Sequence, residues 1–472
     1  MDTFTNSPDA HASWRNLPAD QQPEWPDPDA LRDVLAHLSA LPPLVRPRES
    51  DALRSRLAEV AKGDAFLLQG GDCAETFAGV GAQAVNDKLE TLAQMALVIA
   101  YGSSSPVVTV GRIAGQYGKP RSSPTETRNG ITLPSYRGDC VNGNEFTTEA
   151  RTPDPRRLGL MYQCSAATLN LVRSLTAAGH PELGQVQARN REFVLRSPVG
   201  ERYERLVGEV ETALALARAY GLERPARPAP PFFVSHEALL LDYESALTRV
   251  DPATGHRYAG SGHMVWIGER TRRADGAHIE YAARIRNPIG VKLGPATRPE
   301  DALALIDRLD PHREPGRLTF IIRMGSDRVR DALPPLIEAV RRSGALVAWV
   351  CDPMHGNTYT APDGHKTRHF DTIADEVTGF FEVHRGLGTH PGGVHLELTG
   401  EPVTECVGGG DGIGHDDLRS RYETACDPRL SRGQSMDLAF LIAERYGQEE
   451  RAVAAAASAS ASRGFTGSVE SV

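Results

Sequence analysis

This 472-residue sequence predicts an α/β fold, a (β/α)8 TIM barrel with an N-terminal extension and a helical insertion after the second barrel strand. Three observations carry that expectation. Eight short, near-continuous apolar segments follow one another along the chain, as strands do when helices cover the outer face of a parallel sheet. Helical patterns fall between most of them. Almost every apolar segment also ends on polar, chemically capable residues, and a barrel would gather those ends around one mouth.

In chain order, residues 1–60 form the extension, rich in proline and partly helical around Asp29–Leu38 and Asp51–Ala61. The first strand, Ala65–Gln69, runs into Gly70-Gly71-Asp72-Cys73 and so delivers a thiol at a strand's carboxyl end. A helix at Val85–Tyr101 leads to the second strand, Pro106–Gly111. About 120 residues then precede the third strand, far more than one crossover needs. They hold a long helix at Leu158–Ala178 and charged helices near Arg202–Tyr220. The surplus, about residues 179–225, is taken as the insertion, a common place for regulation or oligomer contacts. The remaining strands are Pro231–Ser235, Met264–Gly268, Pro288–Leu293, Leu318–Ile322, Ala345–Val350 and Gly393–Leu398. Helices at Pro299–Leu309, Val329–Ser343 and Phe370–Leu387 follow the fifth, sixth and seventh. The barrel therefore spans 61–447, and the Ala/Ser-rich tail, 448–472, is too poor in large apolar groups to offset its ordering entropy and is expected to be disordered.

Net charge is −9 and the basic residues are scattered, so there is no nucleic-acid footprint. A few clustered Arg and Lys can still bind phosphate within an acidic protein. No stretch approaches 18 uncharged apolar residues and the first residues form no leader, which predicts a cytoplasmic protein off the membrane. Six cysteines are too sparse for a disulfide scaffold.

The strand ends carry Asp72-Cys73, Arg112, Ser235-His236-Glu237, Glu269-Arg270, Lys292, Arg323, Asp352 with His355, and Glu397. By chemistry they divide in two. Cys73, His355, Glu397 and Asp427 are candidate ligands for a divalent transition metal, because mixed thiolate, imidazole and carboxylate donors suit manganese, iron, cobalt or zinc. The bland alternatives are a small buried apolar residue for Cys73 and an ordinary loop histidine for His355. The second group is cationic: Arg112, Lys119, Arg121, Arg270, Lys292 and Arg323. Arginine forks bind phosphate and carboxylate bidentately and lysine supplies a point charge. The alternative is that some of them pair with Glu269, Asp72 or Asp352 and only hold the rim together.

The phrases LLQGGDCAETF (67–77), GRIAGQYGKPRS (111–122), SHEALLLDYE (235–244), WIGERTR (266–272), GVKLGP (290–295), CDPMHGNT (351–358), KTRHFD (366–371), GTHPGGVHLELTGEPVTEC (388–406) and RYETACDPRL (421–430) together closely resemble the type II 3-deoxy-D-arabino-heptulosonate 7-phosphate (DAHP) synthases. The resemblance covers about residues 60–447. It implies the first committed step of the shikimate pathway, which leads to chorismate and the aromatic amino acids. In that step a transferase condenses phosphoenolpyruvate with erythrose 4-phosphate, in an aldol-like reaction that depends on one divalent metal. Manganese is the expected ion, with cobalt as a substitute. By the same resemblance the metal falls on Cys73, His355, Glu397 and Asp427, and phosphoenolpyruvate on Arg112, Glu269, Arg270, Lys292 and Arg323. Lys119, Arg121 and Ser122 are taken for erythrose 4-phosphate, with Lys292 as proton donor and Glu269 as the base that orients water. Cys426 lies within reach of Cys73 if the ligands converge, and a metal-free, oxidised chain is then expected to close a disulfide between them.

The resemblance further implies a homo-oligomer, dimer or tetramer, with aromatic amino acids as effectors and a chorismate mutase as a partner of some relatives. The front end is abbreviated relative to fully feedback-controlled members, which puts one inhibitor site in doubt and brings secondary-metabolite biosynthesis into view. An aminoDAHP synthase-like enzyme would keep the metal and phosphoenolpyruvate residues and differ around the acceptor. A catalytically silent barrel would have lost a ligand, and all four are present.

Overall fold

A computed structural model describes residues 13–179, 182–198, 200–220 and 231–446. The expected tail, 448–472, lies outside the described residues. Eight parallel strands close into a barrel: Phe66–Gly71, Val107–Arg112, Phe233–Glu237, Met264–Ile267, Ile289–Leu293, Leu318–Ile322, Ala348–Cys351 and Gly393–Glu397. Each pairs with its neighbour in sequence, and the eighth returns to the first in the register Leu67↔Gly393 to Gly71↔Glu397. Every expected strand is present, with ends shifted by at most two or three residues. No helix among the described residues is long and apolar enough to cross a membrane.

Side-chain alternation explains why a barrel forms and where it becomes polar. Near the amino-terminal end the interior is apolar: Leu67, Val108, Val110, Phe233, Met264, Ala348 and Val350 form one cluster with Leu53, Leu57 and Val60 of the helix Pro47–Lys62. That helix belongs to the extension, crosses its expected boundary at residue 60, and plugs the barrel floor. Two residues further up each strand the interior turns polar. Gln69, Ser235 and His395 are fully buried there, and Gln69 donates to Ser235 Oγ at 2.8 Å. Above them stand Arg112, Lys292, Asp352 and Glu397.

The outer helices follow ordinary local rules. In Pro299–Leu309, Pro299 opens the first turn, Asp301 accepts from the Arg298 backbone N–H at 3.1 Å, and Ala302, Leu305, Ile306 and Leu309 form the buried stripe. Between the second and third barrel strands lie a hairpin (Thr125–Arg128 with Ile131–Pro134) and helices at Arg157–Ala177, Leu183–Arg196 and Glu201–Ala219. The last two pack on the helix Ala82–Ser103. Phe193 and Tyr203 also stack on Phe440 of the closing helical run, residues 432–446.

One buried histidine makes the fold sensitive to acid. His384, among Phe380, Trp349 and Thr389, is pushed by burial from its ordinary value near 6.5 down to about 3. Below pH 6.5 the unfolded chain takes up a proton that the native state refuses, so stability falls as pH falls. This one group accounts for about 2 kcal/mol between pH 6.5 and 5. Thermal melts should therefore show a lower midpoint at pH 5 than at pH 7.5, and His384→Gln should flatten part of that slope. An unchanged slope in the variant would mean that other groups carry it.

Candidate active site

The first strand ends in Gly71, at φ 151°, where an added Cβ would lie 2.4 Å from the Arg112 carbonyl oxygen. Only glycine fits so tight a crossing, and it aims the next residues across the barrel mouth. Cys73 is fully buried there. Its sulfur, a Glu397 oxygen and an Asp427 oxygen all lie within 4.8 Å of one another. Glu397 comes from the eighth strand and Asp427 from the loop beyond it. His355, on the loop after the seventh strand, stands at the edge of this trio, with Nε2 3.0 Å from Glu397 Oε1. Its Nδ1 faces Asp352 Oδ2 at 2.8 Å, which fixes the ring with Nε2 toward the other donors.

The charges around this quartet are tightly balanced. Glu397 faces Lys119 Nζ at 3.3 Å, Arg112 Nη2 at 3.2 Å and Arg368 Nη2 at 2.7 Å. Burial acts to raise its pKa, but His355, Lys119 and Arg368 prevail and hold it well below the carboxylate range. Asp427 is lowered in the same way against burial, chiefly by Lys119, whose ammonium is 2.8 Å away. Cys73 moves the other way: burial, a hydrogen bond with the Cys426 thiol and the Glu397 charge all push it up, although Lys119 Nζ lies 2.9 Å from its sulfur. An incoming cation would have to draw off that proton. The donor set suits a divalent transition ion: one sulfur, one oriented imidazole and two carboxylates already ionised.

Above the quartet opens a cavity of about 330 Å³ lined by Arg112, Lys119, Arg121, Ser122, Glu269, Arg270, Lys292, Arg323, His355 and Asp427, among others. Every substrate residue expected from the sequence thus faces one space. Arg112 is held before any ligand arrives, donating to the carbonyls of Asp72 and Cys73 and to His395, with its guanidinium over Trp266. Lys292 Nζ is 2.8 Å from Asp352, and burial pulls its pKa down. Arg323 Nη2 donates to the His355 carbonyl at 2.9 Å, and Arg270 to Ser122 Oγ at 2.8 Å. Arg121 pairs with Glu126 of the hairpin at 3.0 Å. Glu269 accepts from Arg272 through both oxygens and from the Gly294 N–H at 2.7 Å. It is thus an anchored carboxylate.

Residues 9–443 match the family model described as "Class-II DAHP synthetase family". The chain belongs to that family. It is 65% identical over 440 residues to the phospho-2-dehydro-3-deoxyheptonate aldolase of Streptomyces coelicolor, covering 93% of this chain and 98% of that protein. It is 54% identical over 432 residues to the protein AroG of the same description from Mycolicibacterium smegmatis, covering 90% and 92%. A solved phospho-2-dehydro-3-deoxyheptonate aldolase from Francisella tularensis aligns over 88% of this chain and 96% of its own at 13% identity. Its TM-score is 0.44.

Within this class-II DAHP synthetase chain, two placements were not visible in the sequence. The resemblance puts Lys119 with Arg121 and Ser122, yet its ammonium sits among the metal donors. Glu75 is the cause: its buried carboxylate accepts the N–H groups of Ala114, Gly115 and Gln116 at 2.7–2.9 Å and folds the segment back over Cys73. Lys366 and Arg368, in KTRHFD, bind Asp427 and Glu397 from a short hairpin outside the barrel. Glu237, one of the strand-end residues read from the sequence, also lines the cavity, with its Oε1 buried against Gly268 and making no hydrogen bond among the described residues.

Proposed function

We infer that the chain is a 3-deoxy-7-phosphoheptulonate synthase, condensing phosphoenolpyruvate with erythrose 4-phosphate to DAHP and inorganic phosphate. The observation that carries this reading is the 330 Å³ cavity whose cationic rim stands over Cys73, Glu397 and Asp427, with donor atoms within 4.8 Å of one another, and over His355, whose Nε2 lies 3.0 Å from Glu397. Two phosphorylated substrates need two anion sites, and an aldehyde acceptor needs an electrophile beside them.

Cys73, His355, Glu397 and Asp427 would hold the ion, taken here as manganese with cobalt able to replace it. When bound, it supplies Lewis acidity at the aldehyde oxygen. Arg112, Lys292 and Arg323 neutralise the phosphate and carboxylate of phosphoenolpyruvate and hold its methylene carbon toward the acceptor. Arg121 and Ser122 receive the phosphate of the aldose, joined by Arg270, which the resemblance puts with phosphoenolpyruvate but whose guanidinium donates to Ser122 Oγ at 2.8 Å, while Lys119 spans the two sides. As the carbon–carbon bond forms, the Lys292 ammonium gives its proton to the oxygen that was the aldehyde; its lowered pKa makes it the stronger acid. Water adds to the carbon that bears the phosphate, its proton passes to a carboxylate, and the tetrahedral adduct collapses to the ketone as its carbon–oxygen bond to the phosphate breaks and inorganic phosphate leaves. Glu269, held by Arg272 and the Gly294 N–H at the cavity wall, orients the water and is the carboxylate that takes the proton.

The product distinguishes this reading from a synthase of the amino analogue. Incubation with erythrose 4-phosphate should yield one seven-carbon keto sugar acid phosphate per phosphoenolpyruvate consumed, identified by mass spectrometry. Turnover only with an amino-substituted acceptor would contradict it.

A further inference from the structure

Two loops of the cavity are tied together from behind by a carboxylate that the chemistry above does not use. Glu376 lies on the helix Phe370–Leu387 and is fully buried. Its Oε1 accepts the backbone N–H groups of Met324 and Gly325, both at 2.8 Å, and its Oε2 accepts Asn357 Nδ2 at 2.7 Å. Met324 and Gly325 directly follow Arg323. Asn357 closes the loop that carries Asp352 and His355.

Asn357 completes the bracket. Its Nδ2 also donates to the Pro353 carbonyl at 2.8 Å, and its Oδ1 accepts from Ser326 N–H at 3.1 Å. The two loops touch at their glycines: a Cβ on Gly356 would sit 2.4 Å from Gly325 N, and Gly325 itself has φ +87°. On the cavity side, Arg323 reaches the His355 carbonyl.

We propose that Glu376, acting through Asn357, is a positioning residue that couples the substrate arginine Arg323 to the metal donor His355. The proposal rests on the reading of the cavity given above. Three donors converge on two oxygens, and a carboxylate is the side chain that accepts all of them; burial raises its pKa to about 8, against the pull of those three bonds, so the constants below are compared above that pH, where the group is ionised. Glutamine in its place must present either its NH₂ to the two backbone N–H groups or its NH₂ to that of Asn357. Turning Asn357 over to relieve the second clash breaks its bonds to Ser326 and Pro353. The two loops then lose their shared reference, and Arg323 and His355 drift together.

The residues proposed for erythrose 4-phosphate, Arg121, Ser122 and Arg270, stand on other loops. A selective pattern follows in the full-length enzyme. Glu376→Gln should raise the KM for phosphoenolpyruvate about tenfold and weaken Mn²⁺ binding about tenfold, the latter read directly by electron paramagnetic resonance of the free ion. The KM for erythrose 4-phosphate should stay within about twofold. The double variant Glu376→Gln with Asn357→Asp swaps donor and acceptor across the bracket; it gives up the bond to the Pro353 carbonyl and should recover part of both losses.

Wild-type turnover, measured alongside, checks the reading of the cavity. A wild type that turns over, beside a Glu376→Gln variant in which the erythrose 4-phosphate constant moves as far as the other two, in which only one of the phosphoenolpyruvate and Mn²⁺ constants moves, or in which none moves, would overturn the coupling alone. So would a double variant no better than the single one. If Glu376→Gln does not fold, Asn357→Ala cuts the bridge while leaving the backbone bonds to Glu376; it should show the same split at smaller size, and a loss confined to kcat would overturn the proposal.

Discussion

Cys73→Ser should strip the divalent ion from the site and lower kcat/KM by at least about 100-fold, with the far-ultraviolet circular dichroism of the barrel unchanged. Loss of an outer partner of a metal ligand commonly costs 10- to 100-fold, and Cys73 is itself one of the proposed ligands. The substitution shortens the reach of the donor atom and replaces a soft sulfur by a neutral hydroxyl that ionises far less readily. The fold is not at risk: the position is already polar, with Lys119 Nζ 2.9 Å and Asp427 N 3.2 Å from the sulfur, and serine can bond to both. Metal content of the purified variant and its activity across a manganese titration read the effect. A variant that retains stoichiometric metal would show that Cys73 is buried filler.

Lys292→Met should lower kcat by about 10²- to 10⁴-fold, the range expected for loss of a positioned proton donor, with metal content unchanged. Methionine keeps the length and the apolar stem, so the interior beside Trp266 stays filled. Asp352 loses one partner but keeps three, the N–H groups of Met354 and His355 and the His355 ring, so His355 stays oriented toward the metal donors. The KM for phosphoenolpyruvate should also rise, because Lys292 is one of its proposed cations. Near-normal turnover would remove Lys292 from its role as the acid.

The strands were legible because burial on both faces leaves an uninterrupted apolar signature. Leu318–Ile322 and the helices Pro299–Leu309 and Phe370–Leu387 coincide with expectation to the residue. The small hairpins were not, since three or four exposed residues such as Thr125–Arg128 carry no periodicity. Its turn, Asn129-Gly130, is the one local signal that would have found it: both residues have positive φ, as a tight hairpin turn requires. The helix Leu183–Arg196 was likewise missing from the expected elements, which placed charged helices of the insertion only near Arg202–Tyr220.

The site divides along the same line. Residue type and position at a strand end were enough to group Cys73, His355 and Glu397 and to collect the cations, because a barrel brings all such ends to one mouth. Pairing was not readable. That Lys119 sits over the metal donors depends on Glu75 capturing three backbone N–H groups some 40 residues away. That Asp427 is delivered beside Cys73 depends on Arg429, which bridges Asp72 and Glu405 at 2.7 Å each. These are contacts between loops distant in sequence, and no local pattern encodes them.

The central claim is a metal-dependent condensation in this cavity. It is tested most directly by following phosphoenolpyruvate loss with erythrose 4-phosphate, using enzyme treated with a chelator and then supplied with manganese or cobalt. The expected result is consumption abolished by the chelator, restored by either ion, and absent without the aldose. Phosphoenolpyruvate consumption that neither ion restores, or that proceeds equally well in chelator, would contradict it.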